Sequence, residues 1–199
     1  MTTINLSLPD WMAAQLLDLP LHIPSILEQM ALVIHLSQLN FEYDTGGPFA
    51  AGVFEVESGR MVSLGVNRVV PLHCSSAHAE VMALSLAQHH LATFDLGGPG
   101  LPDHRLVVNW RPCTMCFGAV LWSGVRELVI AGSGPELESL TGFDEGPIHP
   151  EWRAELHKRG IHFTEGVRRE EAVAVFRAFG ASNRLVYNAR RGTGRITDS

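Results

Sequence analysis

Positive charge is scarce in this sequence. Lysine occurs once, at Lys158, and 15 Lys and Arg residues stand against 21 Asp and Glu, leaving a net charge of -6. Proteins that track polynucleotides carry a basic stripe that displaces counterions from phosphates, so this balance argues against a nucleic-acid partner. The densest arginine cluster, Arg184, Arg190, Arg191 and Arg195, reads as a solvated chain end. Long apolar runs are also missing. None approaches the roughly 18 residues of a membrane span, and Arg126 and Glu127 interrupt the longest. The opening Met1-Thr2-Thr3 lacks a basic region before an apolar core, so no secretory signal is expected. Cysteine is sparse and odd in number, with three residues at Cys74, Cys113 and Cys116. That is poor material for a disulfide framework; it points to a reducing compartment, and a cytoplasmic location is the expectation. What remains is ample for a core: 46% of the 199 residues are hydrophobic. One domain spanning residues 1–199 is expected, with residues 1–23 as a cap segment.

Two short motifs carry chemistry: His78-Ala79-Glu80, and Pro112-Cys113-Thr114-Met115-Cys116. Zinc takes cysteine sulfur and histidine nitrogen in a tetrahedron, and a catalytic site keeps one position open for water. Cys113 and Cys116 are three apart, so on a helix they share a face; Pro112 suits the helix entry. The apolar run Phe117-Gly118-Ala119-Val120-Leu121-Trp122 continues that helix. A first-turn position puts the thiols at the positive end of the helix dipole, where thiolate is favoured. His78 and Glu80 open a second helix, with Val81, Leu84, Ala87 and Leu91 at helical spacing. First-turn side chains tilt toward the N-terminal end, so the two helix starts can converge on one zinc held by His78, Cys113 and Cys116. Glu80, left off the metal, is placed to take a proton from the bound water and pass it on. The two motifs together resemble those of zinc deaminases acting on nucleobases, and that resemblance implies hydrolytic deamination of an aminated heterocycle, with Glu80 serving a ring nitrogen and the departing ammonia. Two rival readings exist: a Cys113/Cys116 redox pair, and a closed structural site in which Cys74 is the fourth ligand. Neither gives Glu80 a role. The acidic balance favours a small free base or nucleoside as substrate.

The remaining chain reads as a sheet laced with helices. Residues 24–40 predict a helix with Ile26, Met30, Val33, Ile34 and Leu36 on its apolar face. Asp44-Thr45-Gly46-Gly47-Pro48 is a turn cluster. Strands are predicted over 49–56 and 61–69, joined as a hairpin at Glu57-Ser58-Gly59-Arg60, then over 105–110, 127–131 and 161–164. A short helix is expected near 135–140, a loop over 143–150 and a last helix over 170–179. These imply an α/β fold, a three-layer α/β/α sandwich around a mixed five-stranded sheet.

The motifs His-x-Glu and Pro-Cys-x-x-Cys are those of zinc deaminases acting on nucleobases. With Gly47-Pro48-Phe49, Val66-Asn67-Arg68, Ala77-His78-Ala79-Glu80, Phe117-Gly118-Ala119 leading to Trp122, and Gly142-Phe143-Asp144-Glu145, the chain resembles the cytidine deaminase superfamily. Within it, the resemblance is to the guanine deaminase branch, some members of which also take the triazine ammeline. It implies one Zn2+ per chain with a bound water or hydroxide, a nucleobase substrate, and a homodimer. It also implies that Asn67 bonds the base, that Phe49, Ala77 and Trp122 take part in substrate binding, and that Glu145 joins Glu80 in catalysis. Tyr187, in the Tyr187-Asn188-Ala189-Arg190 tail, would close over the site as part of a segment spanning 184–199. As bare residues, Asn67 also reads as a turn residue, Phe49 and Trp122 as core, and Glu145 as a solvated loop carboxylate. A cytosine or nucleoside deaminase is the alternative within the enzyme class; a zinc-stabilised binding protein is the alternative outside it. One departure stands out: most of the superfamily has Glu, after a small residue, before the Pro-Cys pair, whereas this chain has Trp110-Arg111.

Overall fold

Two helices precede the sheet. The computed structural model describes residues 5–189. The cap segment contains α1 (Asp10–Asp18), whose Met12 is fully buried. It is tied down where the Leu21 carbonyl accepts from the Met61 N–H (2.9 Å) and the Ile23 N–H donates to Gly59 (2.8 Å). In α2 (Ile26–Glu42) the residues at helical spacing, Met30, Val33, Ile34 and Leu36, are all buried. The hairpin follows as β1 (Ala50–Glu55) and β2 (Met61–Val66), antiparallel, with Ala50 opposite Val66 and a register shift at Val53/Phe54. Gly59 closes its turn at φ +67°, and a Cβ there would stand 2.5 Å from the Pro24 backbone, so no other residue fits.

The chain then runs through α3 (Ala79–His90), β3 (His104–Val108), α4 (Thr114–Ser123), β4 (Glu127–Ile130), α5 (Glu136–Thr141), α6 (Trp152–Lys158), β5 (His162–Glu165) and α7 (Arg169–Gly180). The strands lie in the order β2-β1-β3-β4-β5. The pairs β1/β2 and β1/β3 are antiparallel, and β3/β4 and β4/β5 are parallel. This is the mixed five-stranded sheet expected from the sequence.

Strand alternation sorts the core into two layers. Ala50, Phe54, Leu64, Val66, Val107 and Val129 face one side, where they meet α2 and α7. Ala51, Val53, Leu106, Val108, Leu128 and Ile130 face the other, against α3, α4 and α6. Gly65 is required for the second layer. A Cβ there would lie 2.4 Å from the Ala79 carbonyl and the Ala83 nitrogen, so its absence lets the start of α3 rest directly on β2. The sequence pattern missed α6, a seven-residue helix that buries only Trp152 and Leu156, too few apolar positions to display a period. Among the described residues no helix is long and apolar enough to cross a membrane.

Candidate active site and metal centre

The site forms where β2 and β3 end and β1 begins, at the carboxyl edge of the parallel part of the sheet, the usual position for ligands in such folds. Asn109, just past β3, is fully buried and locks this edge. Its Oδ1 accepts from the Ala50 N–H (3.1 Å), and its Nδ2 donates to the Pro48 carbonyl (2.9 Å). Four residues on, Cys113 caps α4, and Cys116 is the third residue of that helix. From the other side, His78 caps α3, and Glu80 is its second residue. Both helix starts meet. The His78 Nδ1 lies 3.5 Å from the Cys113 Sγ, and the ligand atoms of His78, Cys113 and Cys116 all fall within 4.8 Å of one another. One imidazole nitrogen and two sulfurs at this spacing, beside a cavity, match the donor set of a zinc site with one position left for a small ligand. Cys74 stands apart: its Sγ contacts the Ser76 hydroxyl at 3.2 Å, and it is no member of the cluster. The closed four-ligand site is therefore not formed.

A cavity of about 380 Å³ opens over this cluster. Phe49, Asn67, His78, Glu80, Cys113, Glu145 and Tyr187, all singled out from the sequence, line it. Asn67 is buried at the end of β2. Its Oδ1 accepts from the Gly47 N–H (3.3 Å), and its Nδ2 donates to the Tyr187 hydroxyl. Gly46 permits this approach, since a Cβ there would stand 1.8 Å from the Asn67 carbonyl. Glu145 follows the Gly142 cap of α5, and its loop docks on α4 through the Thr114 N–H and the Glu145 carbonyl (3.2 Å). Tyr187 closes the aromatic wall, 4.9 Å from Phe143, which itself packs 5.1 Å from Phe49. The neighbouring Asn188 pins the chain end to the Glu145 loop by accepting from the Asp144 N–H (3.0 Å) and donating to Gly142 (2.8 Å).

Several expectations need correcting. Trp122 does not reach this pocket; it is 87% exposed on α4. Cys116 and Val120 fix which face of that helix is inward, and a residue two beyond Val120 points away from it. Ala77 is fully buried outside the lining, with its carbonyl accepting from the Arg68 N–H (2.8 Å). Arg184 is not a solvated end residue: it pairs with Asp44 (2.7 Å) and donates to the Glu42 carbonyl (2.9 Å). Arg190, Arg191 and Arg195, and with them most of the 184–199 tail, lie outside the described residues. Sequence reading gave no role to Phe143 or Asn188. Only the Gly142–Glu145 motif and the tail motif hinted at them.

The electrostatics are those of buried, crowded acids. Burial first, then the neighbouring Cys113 charge, push the Glu80 carboxyl up to about 7. Burial, with Cys113 and then Glu80, pushes Glu145 up to about 8. The Cys116 thiol donates to Cys113 and brings the Cys113 thiol down to about 4, against the cost of burial. Burial holds Tyr187 protonated well above its ordinary value.

The sequence pattern of the cytidine and deoxycytidylate deaminase zinc-binding region matches residues 27–132, which include both motifs. The chain belongs to this family. Guanine deaminase of Bacillus subtilis (strain 168) is 31% identical over 134 residues, covering 67% of this chain and 80% of that protein. A structure of guanine deaminase from Nitrosomonas europaea is 45% identical, covers 90% of this chain and 97% of its own, and superposes with a TM-score of 0.84. A structure of NE0047 in complex with 2,6-diaminopurine is 46% identical, covers 94% and 98%, and gives a TM-score of 0.86. The chain is also similar to the tRNA-specific adenosine deaminase of Buchnera aphidicola subsp. Schizaphis graminum (strain Sg), 25% identical over 142 residues, which cover 71% of this chain and 87% of that protein.

Proposed function

We propose that this protein is a zinc-dependent deaminase of a free guanine-like purine, replacing the exocyclic amine by oxygen and releasing ammonia. The observation that carries this reading is the His78, Cys113 and Cys116 cluster, with Glu80 off the metal and a second acid, Glu145, in the same cavity. Bound at the three ligands, zinc supplies Lewis acidity that brings a water near ionisation at neutral pH. Glu80, pushed up to about 7, can both take and return a proton at that pH. It accepts one from the attacking water, gives it to the ring nitrogen beside the reacting carbon, and delivers the next to the departing amine. Glu145 accepts from a ring N–H, while Phe49, Phe143 and Tyr187 hold the ring by its faces and edges. A cavity of about 380 Å³ is of the size that takes a small-molecule ligand.

The same reading assigns residues 1–199 to one deaminase domain working in the cytoplasm, where the cysteine ligands stay reduced. It also includes a homodimer. The outer face of α4 presents Met115, Gly118, Ala119 and Trp122 one above another, an apolar stripe suited to a second copy. The test is ammonia release from guanine, ammeline, guanosine, adenine and cytosine by the zinc-loaded protein. Guanine-type bases should lead; a preference for cytosine or a nucleoside overturns the substrate, and no turnover of any base overturns the enzyme.

A further inference from the structure

Arg111 is the sole Lys or Arg among the described residues lining the main cavity. Its backbone is fixed, since its N–H donates to the Gly132 carbonyl (2.9 Å). Its guanidinium is not. No described residue accepts a hydrogen bond from it or pairs with it, and its Nε is buried with no partner. The other arginines near this sheet end are satisfied: Arg169 reaches Glu136 and the Ser133 carbonyl while lying over the Trp110 ring, and Arg153 pairs with Glu165. On its far side Arg111 borders a second, apolar cavity of about 220 Å³ walled by Phe117, Ile148 and Trp152, which offers no carboxylate. The buried Nε has no acceptor on the protein, an unfavourable state that an acceptor on a bound ligand would relieve. Glu145 lines the same cavity, and the Arg111 charge opposes, without overcoming, the rise that burial imposes on the Glu145 carboxyl; the two form no ion pair.

We infer that Arg111 determines specificity in this pocket, donating to a ring carbonyl oxygen while Glu145 accepts the ring N–H beside it. The inference rests on the deaminase reading above and deepens it. A donor next to an acceptor recognises a lactam edge, the N1–H and C6=O of a 6-oxopurine. In guanine these atoms follow C2 around the ring, so a C2 amine held at the metal cluster leaves N1–H and O6 as the next positions along the pocket wall. A 6-amino ring inverts the contact at Arg111, to which it offers a donor in place of the carbonyl oxygen. A charge-assisted bond lost and replaced by donor facing donor discriminates strongly. The substrate class is thus rings that carry a carbonyl beside the ring N–H, and rings with an amine in place of that carbonyl are disfavoured.

The test compares kcat/KM for guanine and 2,6-diaminopurine in the zinc-loaded full chain, as wild type, Arg111→Met and Arg111→Lys. Arg111→Met should lower the guanine to diaminopurine ratio by at least about tenfold, mainly through the KM for guanine, with zinc content unchanged. Should the Met variant fail to fold, Arg111→Lys decides: it keeps the charge but loses the fixed fork, and the ratio should fall by about threefold or more. A guanine-preferring wild type whose ratio moves by less than about threefold in the folded variants overturns the role of Arg111 alone. A wild type that prefers cytosine overturns the functional reading and this inference together.

Discussion

Glu80 is one of few charged side chains buried among the described residues, and it lies beside the His78, Cys113 and Cys116 cluster without belonging to it. Removing only its ability to ionise should therefore spare the fold. Glu80→Gln is expected to keep about one zinc per chain by metal analysis and a near wild-type melting temperature. It should lose at least about a hundredfold in turnover, the scale of one general acid/base. Full turnover in a zinc-replete Gln variant would remove Glu80 from the mechanism. Glu145 makes a different prediction. Its folded pKa of about 8, like the value of about 7 for Glu80, lies above that of an unfolded carboxylate, so the native state holds a proton that the unfolded chain has released. That contribution to stability is fully present below about pH 4 and disappears as pH rises through about 8. Cys113, brought down to about 4, has the opposite slope. In chelator-stripped protein, Glu145→Gln should flatten the fall of melting temperature between pH 5 and 8 relative to wild type; identical slopes would show that Glu145 is not buried as an acid. At this scale the sequence was highly legible for the ligands, because zinc chemistry restricts both residue type and spacing. It was poorly legible for Trp122, since a tryptophan in an apolar run looks the same whether it faces the core or the solvent.

The elements matter because neither half of the metal cluster is complete on its own helix. His78 sits at the cap of α3 and Cys113 at the cap of α4, so the cluster depends on where those two helix starts rest. For α3 the resting place is Gly65. Gly65→Ala would place a Cβ 2.4 Å from the backbone of Ala79 and Ala83, and neither is a flexible side chain able to move aside. The variant is expected to lose about 1–3 kcal/mol of stability, the usual cost of overpacking, measured by urea denaturation. It should also bind zinc more weakly, because His78 moves with the helix; unchanged zinc affinity would mean that α3 does not depend on this contact. Periodicity located α2, α3, α4 and α7 within a residue or two, since each buries one face along several turns. It overlooked α6 because two buried residues make no period, and it took the strands slightly long, because apolar residues such as Val69 and Trp110 lie past the last ladder bond.

For the whole molecule the exposed stripe on α4 has consequences for assembly. Trp122, removed from the pocket by the fold, stands 87% exposed beside Met115, an uncommon place for the largest apolar side chain in a monomer. If the proposed homodimer uses this stripe, wild type should sediment as a dimer and Trp122→Lys as a monomer, with zinc content unchanged at about one per chain; a dimer that survives the change would place the contact elsewhere, and a monomeric wild type would overturn the dimer. The sequence by itself determined the class of fold and picked out the residues that cluster as a metal-binding set, His78, Cys113 and Cys116. These are written in local spacings that hold wherever the elements come to lie: a step of three positions from thiol to thiol, of two from imidazole to carboxylate, and of two along each strand. The tertiary structure alone decided which aromatics form the wall, that Asn188 ties the chain end to the Glu145 loop, and that Arg111 reaches the cavity with no acceptor of its own. Those outcomes depend on contacts between residues dozens of positions apart, and no local pattern of residue types encodes the direction in which a side chain leaves a strand end or a loop.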